Sequence, residues 1–206
     1  MLRPILLTLA LACATPALAT PEYVLPTLFD VTGVAANDML NIRERPDASS
    51  PVIGTLPPGA RGIEVVAERK GWAQVNTRER SGWVNARFLM YRTDVWEPGK
   101  LPASLRCSGT EPFWGLSQAA GGMAFSTPEG GDRAMELRKV MDDGRFRSPV
   151  RGLIAGDARG RLTAVIRPEQ CSDGMSDRAY GMSATLILDG SGQVSRMLMG
   201  CCTIGQ

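Results

Sequence analysis

The chain has 206 residues, of which 44% are hydrophobic, and its 23 Lys and Arg residues nearly balance its 21 Asp and Glu residues, leaving a net charge of +2. This apolar fraction supports packed cores in one or two domains, and the charges are interleaved rather than gathered into the basic run that nucleic-acid-binding proteins use. The sequence contains no histidine, which excludes Ser-His-Asp and Cys-His nucleophile pairs and zinc sites with imidazole ligands.

The first segment has the anatomy of an export signal. Arg3 gives a short positive region, residues 5–12 are apolar, and Ala17-Leu18-Ala19 matches a small-residue cleavage site. The apolar run is too short for a membrane span, which needs about 20 residues. We therefore expect a signal peptide over residues 1–19, and a periplasmic or secreted protein without a transmembrane segment.

Cys13 supports an alternative, because lipoprotein signals end in a cysteine after small residues. However, Ala10 stands three positions before Cys13, where such signals usually carry leucine. Cleavage at Cys13 would also ignore the site that ends at Ala19. A lipid anchor at Cys13 is therefore the less favoured alternative.

Four cysteines remain after the signal: Cys107, Cys171, Cys201 and Cys202. Export to an oxidising compartment predicts that they form disulfides, and four cysteines allow three pairings. A Cys201–Cys202 bridge would strain the peptide between them, so we discount it. The two other pairings stay open, and in both of them Cys107 and Cys171 each reach one of the adjacent cysteines. On a strand, adjacent side chains point to opposite faces, which suits two separate partners.

Residues 20–91 carry short alternating runs divided by turn signals. Leu40 and Ile42 alternate with Asn41 and Arg43, and Pro-Gly and Lys-Gly turns follow further along. Five or so short strands in this length predict a small β-barrel. The stretch 92–104 is polar, with two prolines and a glycine, and is typical of a linker.

Three motifs in this region, "LNIRERPDASSPVIGTLPPG", "GWAQV" and "SGWVNARFL", resemble the bacterial SH3 domain over residues 23–92. The resemblance implies a small β-barrel that binds peptides or cell-wall fragments as an accessory module, without catalysis. Trp72 and Trp83 are the candidate ligand-binding residues, because an indole offers a large flat apolar face to a sugar or a peptide. The alternative is that both side chains cap the small core.

Residues 105–206 form the second predicted unit, again with short apolar runs and tight turns. Seven or eight strands predict an up-and-down barrel or a sandwich, although residues 134–141 also suit a helical turn. The expected fold class is thus all-β: a small SH3-like barrel plus a second antiparallel β-barrel or sandwich with disulfides. The motifs "CSGTEPFWGL", "CSDGMSDRAYGMSATL" and "GCC" resemble a family of uncharacterised exported bacterial proteins and lipoproteins over residues 105–202. That resemblance implies no reaction.

The polar loop "CSDGMSDRAYG", residues 171–181, is either a structural turn or part of a catalytic or ligand-binding site. Asp173 and Asp177 are good turn formers, and a bridge from Cys171 would tie the loop down. The competing interpretation pairs Glu111 with one of these aspartates as in a glycosidase. We favour the tied turn, and keep Glu111, Trp114, Asp173 and Asp177 as candidate ligand-binding residues.

Four methionines near the C-terminal cysteines raise a copper(I) hypothesis, since thioethers and thiolates select that ion: Met175, Met182, Met197 and Met199. Against it, methionine commonly fills cores and oxidised cysteines offer no thiolate. The favoured function is an exported, non-enzymatic envelope protein that binds a peptide or peptidoglycan fragment, with no cofactor, no metal and no nucleic acid. The alternatives are an inhibitor or partner of an envelope hydrolase, a copper(I) protein, and an enzyme that uses Glu111.

Overall fold

The structure is a computed structural model that describes residues 23–205, so the predicted signal peptide and Cys13 lie outside the described residues. Eight short strands up to residue 91 form two sheets. A three-stranded sheet has the order β4-β1-β8, and a five-stranded sheet has the order β3-β2-β7-β6-β5. The strands are β1 (Thr27–Val31), β2 (Leu40–Arg43), β3 (Val52–Leu56), β4 (Ile63–Val65), β5 (Ala67–Arg69), β6 (Trp72–Thr77), β7 (Arg80–Asn85) and β8 (Leu89–Tyr91).

The strands after the predicted linker close into one antiparallel barrel. Each strand pairs with the next along the chain, and the last returns to the first, so this is an up-and-down barrel rather than a sandwich. Its eight strands are β9 (Arg106–Thr110), β10 (Phe113–Ala119), β11 (Gly122–Thr127), β12 (Gly131–Met141), β13 (Arg151–Asp157), β14 (Gly160–Cys171), β15 (Tyr180–Asp189) and β16 (Arg196–Thr203). Residues 134–141, for which a helical turn was the alternative, belong to β12. The prediction of an all-β fold is confirmed.

Alternation along each strand explains both cores. In β6, Ala73 and Val75 are buried while Trp72 and Gln74 lie on the other face. The same period of two fills the large barrel with residues such as Leu162, which is fully buried. The small core consists of Phe29, Val31, Leu40, Ile42, Val65, Ala73, Val75 and Val84.

The segment 92–104, predicted as a linker, is anchored to the large barrel. Val95 and Trp96 are buried in the core cluster of that barrel. Arg151 of β13 is only 1% exposed and lies with its guanidinium 5.0 Å from the Trp96 ring. It also donates hydrogen bonds to the backbone carbonyl oxygens of Glu97 and Lys100. Burial lowers the pKa of Arg151, so these carbonyl contacts are what makes its charged form tolerable inside the protein.

Two disulfides close the barrel at the C-terminal strand. Cys107 pairs with Cys202, and Cys171 pairs with Cys201. Because adjacent residues of β16 point to opposite sides of the sheet, Cys202 belongs to the barrel core and Cys201 does not. The structure therefore confirms the disulfides and selects one of the two pairings that the sequence left open.

The loop 171–181 docks against the two sheets of residues 27–91, which together we call the small barrel. The Ser81 amide donates to the Asp177 carbonyl oxygen and the Asp177 amide donates to the Glu79 carbonyl oxygen, both at 2.9 Å. The Asn76 side chain exchanges two further hydrogen bonds of 2.9 Å with the backbone of Ala179. This set of contacts, which we call the clasp, adds a short parallel bridge to the edge of β7.

A buried carboxylate makes a second contact between the two barrels. Glu64 of β4 accepts a hydrogen bond from the Thr203 hydroxyl and others from the Ile204 and Gly205 amides, at 3.2 and 3.3 Å. Burial raises the pKa of Glu64, and these hydrogen bonds oppose that shift. The two barrels are thus joined by specific polar contacts as well as by the segment between them. Within residues 23–205, no helix is both long and apolar enough to cross a membrane.

Candidate functional site

The outer face of the five-stranded sheet carries aromatic and polar side chains on three neighbouring strands. Trp72 of β6 stands opposite Asn85 of β7, and Gln74 stands opposite Trp83. Arg43 of β2 is the partner of Trp83 on the other side. Because strand residues alternate between faces, these side chains lie away from the core. We call this set the outer face.

Neither Trp72 nor Trp83 belongs to the small core. Both are partly buried, and neither packs against the cluster of buried residues in this barrel. The buried neighbours on the opposite face are Ala73 and Val84, which are fully inside. The two indoles therefore lie on the side of the sheet that faces away from the small core.

A cleft of about 430 Å³ opens beside Trp72. Its polar side chains are held by local hydrogen bonds. Asn85 accepts one from the Arg87 amide at 3.2 Å, and Arg43 donates one to the Ser50 carbonyl oxygen at 2.7 Å. The cleft is lined by Gly33, Val34, Ala35, Asp38, Met39, Leu40, Asn41, Arg43, Ala48, Trp72, Asn85 and Phe88. An apolar ring beside amides, one carboxylate and one guanidinium suits a neutral or zwitterionic ligand that offers both a flat face and hydrogen-bonding groups.

The carboxylate of Asp173 accepts its hydrogen bonds from within its own loop, residues 171–181. It accepts hydrogen bonds from the amides of Met175 and Ser176, both at 3.0 Å, and from the hydroxyls of Ser176 and Tyr180. Partial burial would raise the pKa of Asp173, but these hydrogen bonds outweigh it and lower that pKa to about 2. Asp173 thus has the environment of a structural turn residue, with four donors on its two oxygens.

Trp114 lies inside the large barrel and not at a surface. It is 4% exposed, and its indole NH donates to the Met199 carbonyl oxygen at 3.2 Å. Gly109 makes room for it, since a Cβ atom there would lie 2.1 Å from the indole nitrogen. Gly200 does the same on the neighbouring strand, where a Cβ atom would lie 2.7 Å from the ring. Gly109 of the "CSGTEPFWGL" motif and Gly200 of the "GCC" motif therefore serve packing around one tryptophan.

The remaining two candidates are exposed. Glu111 lies in the turn between β9 and β10, and Asp177 contributes backbone groups to the clasp. The hydroxyl of Thr110, next to Glu111, donates to the Asp173 carbonyl oxygen at 3.0 Å, which brings the turn close to the loop. The six sequence candidates thus fall into two places: Trp72 and Trp83 on the outer face, and the other four around the loop 171–181.

Sequence reasoning missed the polar partners of the two tryptophans. Asn41, Arg43, Gln74 and Asn85 share their face, and none of them was a sequence candidate. The signal was present, because residues at even spacing from Trp72 and Trp83 must share their side of the strands. It could not be used without knowing which face was buried.

Of the residues in the copper(I) hypothesis, Met197 and Met199 lie two positions apart on β16 and are exposed. All four cysteines are bridged, Met182 is fully buried, and Met175 is 70% exposed in the loop. Across residues 23–205, no three His, Cys, Asp or Glu side chains gather closely enough to hold a metal ion.

Residues 38–90, about a quarter of the chain, match the family model of the bacterial SH3 domain. This part of the chain is a bacterial SH3 domain, as predicted, although the match begins after β1. No curated protein and no solved structure matches the chain. The resemblance noted for residues 105–202 stays a prediction, and so do the boundaries given for the linker and the second domain.

Proposed function

We propose that the protein is an exported, non-catalytic recognition protein of the bacterial envelope, and that the outer face of its SH3 domain binds a peptide or peptidoglycan fragment. The match of residues 38–90 to bacterial SH3 domains supports a binding module of this class. The ligand would lie in the cleft beside Trp72. There the indole would stack on a sugar ring or peptide plane, while Asn41, Asn85 and Arg43 would supply hydrogen bonds.

One observation carries the proposal: Trp72 and Trp83 occupy the outer face, beside amide and guanidinium groups, instead of the core. A partly exposed tryptophan outside the core keeps part of its apolar surface in contact with water. Contact with a ligand would remove that surface from water, and tryptophan is among the residues that contribute most where partners meet.

The disulfides support the compartment. Cys107–Cys202 and Cys171–Cys201 are structural bridges within one barrel, and such bridges persist in oxidising compartments such as the periplasm. The predicted signal peptide points the same way. Sequencing the mature N-terminus would test it, with Thr20 as the expected first residue.

The direct test is retention of the full mature chain on purified peptidoglycan, followed by titration with soluble wall fragments and with the free peptide stems. Tryptophan fluorescence would report binding, because Trp72 and Trp83 are partly exposed while Trp96 and Trp114 are buried. We expect Trp72→Ala to weaken binding at least about tenfold. The matched control is Met90→Ala, which removes a 58% exposed apolar side chain elsewhere on the same small barrel.

Two results would contradict the proposal. One is retention no greater than that of an unrelated small β-barrel. The other is equal loss of binding in the Trp72→Ala and Met90→Ala variants. A preference for the free stems over intact wall would assign the peptide and not the sugar as the recognised part.

The absence of catalysis is part of the proposal. Asp173, which a glycosidase pair with Glu111 would need as a free carboxylate, already accepts four hydrogen bonds from its own loop. Turnover of a wall substrate that disappears in a Glu111→Gln variant would overturn this part. A copper(I) site would have to use methionines alone, since a bridged sulfur is not a thiolate ligand.

A further inference from the structure

A second groove, of about 430 Å³, lies on the outside of the large barrel, beside the loop 171–181. Strands β9, β10 and β11 form its floor, and residues 178–180 of the loop flank it. The side chains that matter are Arg106, Ser108, Ser117, Ser126, Arg178 and Tyr180.

Small residues create this groove. Along β10, Leu116 points into the barrel, so Gly115 and Ser117 point outwards. Gly115 stands opposite Ser126 of β11 and Ser108 of β9, which are also small. A Cβ atom on Gly115 would lie 2.7 Å from the Ser126 hydroxyl oxygen, so even alanine would crowd the floor. The result is a shallow depression whose floor presents hydroxyl groups.

Both charged side chains that line the groove are positive. Its lining includes two guanidinium groups, on Arg106 and Arg178, and no acidic side chain. Arg106 donates to the Gly205 carbonyl oxygen at 3.2 Å, and within residues 23–205 neither arginine forms an ion pair with a carboxylate. The carboxylate of Glu64 interacts with Arg178 at longer range, and it accepts hydrogen bonds from Thr203 and Gly205, which line the same groove.

Arg178 is held in place, but one of its hydrogen-bond donors has no acceptor within the described residues. Its guanidinium lies 5.7 Å from the Tyr180 ring centre, and its neighbours Asp177 and Ala179 are tied to the small barrel by the clasp. Its Nε atom is buried, and it has no hydrogen-bond partner within the described residues. A buried donor without an acceptor is rare and unfavourable, so such an atom calls for an explanation.

We propose that this groove binds an oxyanion, the carboxylate or phosphate group of a small ligand, between Arg106 and Arg178 with the serine hydroxyls as further donors. Guanidinium groups match the geometry of both anions, and their hydrogen bonds to charged acceptors are among the strong ones. The clasp presents Arg178, so binding at this groove requires the two barrels to be docked. This site goes beyond the function proposed for the SH3 domain and does not depend on it.

The test is a nuclear magnetic resonance titration of the full mature chain, which follows the arginine Nε–H signals. The probes are N-acetyl-alanyl-alanine with a free carboxylate, the same dipeptide as its C-terminal amide, and inorganic phosphate. We expect saturable shifts of the Arg106 and Arg178 signals with at least one anion, and none with the amide. The dipeptide and phosphate arms separate the two sources of the oxyanion.

Three variants and one control locate the site. Arg106→Gln and Arg178→Gln should each weaken anion binding by about tenfold or more, because each removes a charge-assisted hydrogen bond. Arg61→Gln, which changes an exposed arginine on the small barrel, should leave binding unchanged. Ser108→Phe should block the groove while leaving both arginines in place.

Amide signals of Ser81 and Ala179 report separately on the clasp. If Arg178→Gln loosens the clasp, the anion site is still tested by Arg106→Gln and Ser108→Phe, because both residues lie in β9 and not in the clasp. Absence of saturation at probe concentrations on the order of 10 mM would overturn the proposal. Equal binding of the amide, or equal weakening by Arg61→Gln, would overturn it as well. None of these outcomes bears on wall binding through Trp72.

Discussion

Two parts of the molecule use similar polar residues in opposite ways. In the loop 171–181, the most conspicuous polar stretch of the sequence, Asp173 accepts four hydrogen bonds from its own loop and Asp177 serves the clasp through its backbone. On the outer face, Trp72 and Trp83 lie outside the small core. The polar groups of the loop bond to one another, whereas the outer face keeps two partly exposed indoles outside the small core.

This difference shows that a dense polar motif is weak evidence for a catalytic or binding site when its groups can form hydrogen bonds with one another. Turn-forming residues satisfy nearby backbone amides at short range, which is what Asp173 does. Side chains on a strand face cannot do this as easily, because each neighbour stands on a different strand. The predictions below test this contrast from the largest expected effect on stability to the smallest.

The largest effect should come from the bridge that closes the barrel. Cys107 and Cys202 are 95 residues apart, whereas Cys171 and Cys201 are 30 apart. Since a longer closed loop restricts the unfolded chain more, we expect Cys107→Ala/Cys202→Ala to lower the free energy of unfolding by about 4–5 kcal/mol. Cys171→Ala/Cys201→Ala should cost about 3–4 kcal/mol. Urea unfolding of both double variants is the measurement, and the reverse order would show that native contacts, not loop length, decide.

A side chain at Gly109, which stands opposite Trp114, should destabilise the large barrel. In a Gly109→Ala variant the new methyl group would meet the indole nitrogen and the Met199 carbonyl oxygen, and crowding of this kind costs about 1–3 kcal/mol. The matched control is Gly152→Ala in β13, where the nearest atom is the flexible end of Met141 at 3.2 Å. Thermal unfolding should separate the two variants, and equal stability would contradict a packing role for Gly109.

The clasp should contribute measurably through a single side chain. Asn76→Ala removes both hydrogen bonds to the Ala179 backbone, 103 residues away, and should cost about 1–2 kcal/mol. Amide hydrogen exchange at Ala179 should accelerate in this variant. Asn37→Ala, at an exposed position of the small barrel, is the control. Unchanged exchange at Ala179 would mean that the loop is held without the clasp.

Asp173 should make stability depend on acid. Its pKa in the folded protein is about 2, below the ordinary value of 3.8, so its charged form stabilises the fold above about pH 4. That contribution is lost as the pH falls from about 4 towards 2. Asp173→Asn should therefore lower the free energy of unfolding by about 1–2 kcal/mol at pH 7 and by much less at pH 2.5. This value is smaller than the full pKa shift implies, because solvent screens a partly exposed carboxylate. Urea unfolding at several pH values is the measurement, with the exposed Asp132→Asn as control. A difference that is independent of pH would remove the charge from the explanation.

The sequence predicted the fold class because alternation and turn residues are local. It could not choose between a barrel and a sandwich, because strands alternate alike in both and only the pairing of β16 with β9 closes the ring. It left two disulfide pairings open for the same reason. The orientation of Trp72 and Trp83 depended on which face of the sheet is buried. The clasp joins Asn76 to Ala179, which are 103 residues apart along the chain. Long-range pairing, not local preference, decided each of these points.

The smallest effect on stability should come from the outer face, and one strand provides the comparison. Trp83 and Val84 are neighbours in β7, but Val84 is fully buried in the small core while Trp83 lies on the outer face. Val84→Ala should cost about 2 kcal/mol through lost burial and the cavity left behind. Trp83→Ala removes a much larger side chain, yet it should cost less than Val84→Ala, because the partly exposed indole packs against no residue of the small core. Urea unfolding of the two variants measures both values. If Trp83→Ala proved the more destabilising of the two, the indole would be part of the scaffold, and the argument for a recognition surface would fail at this residue.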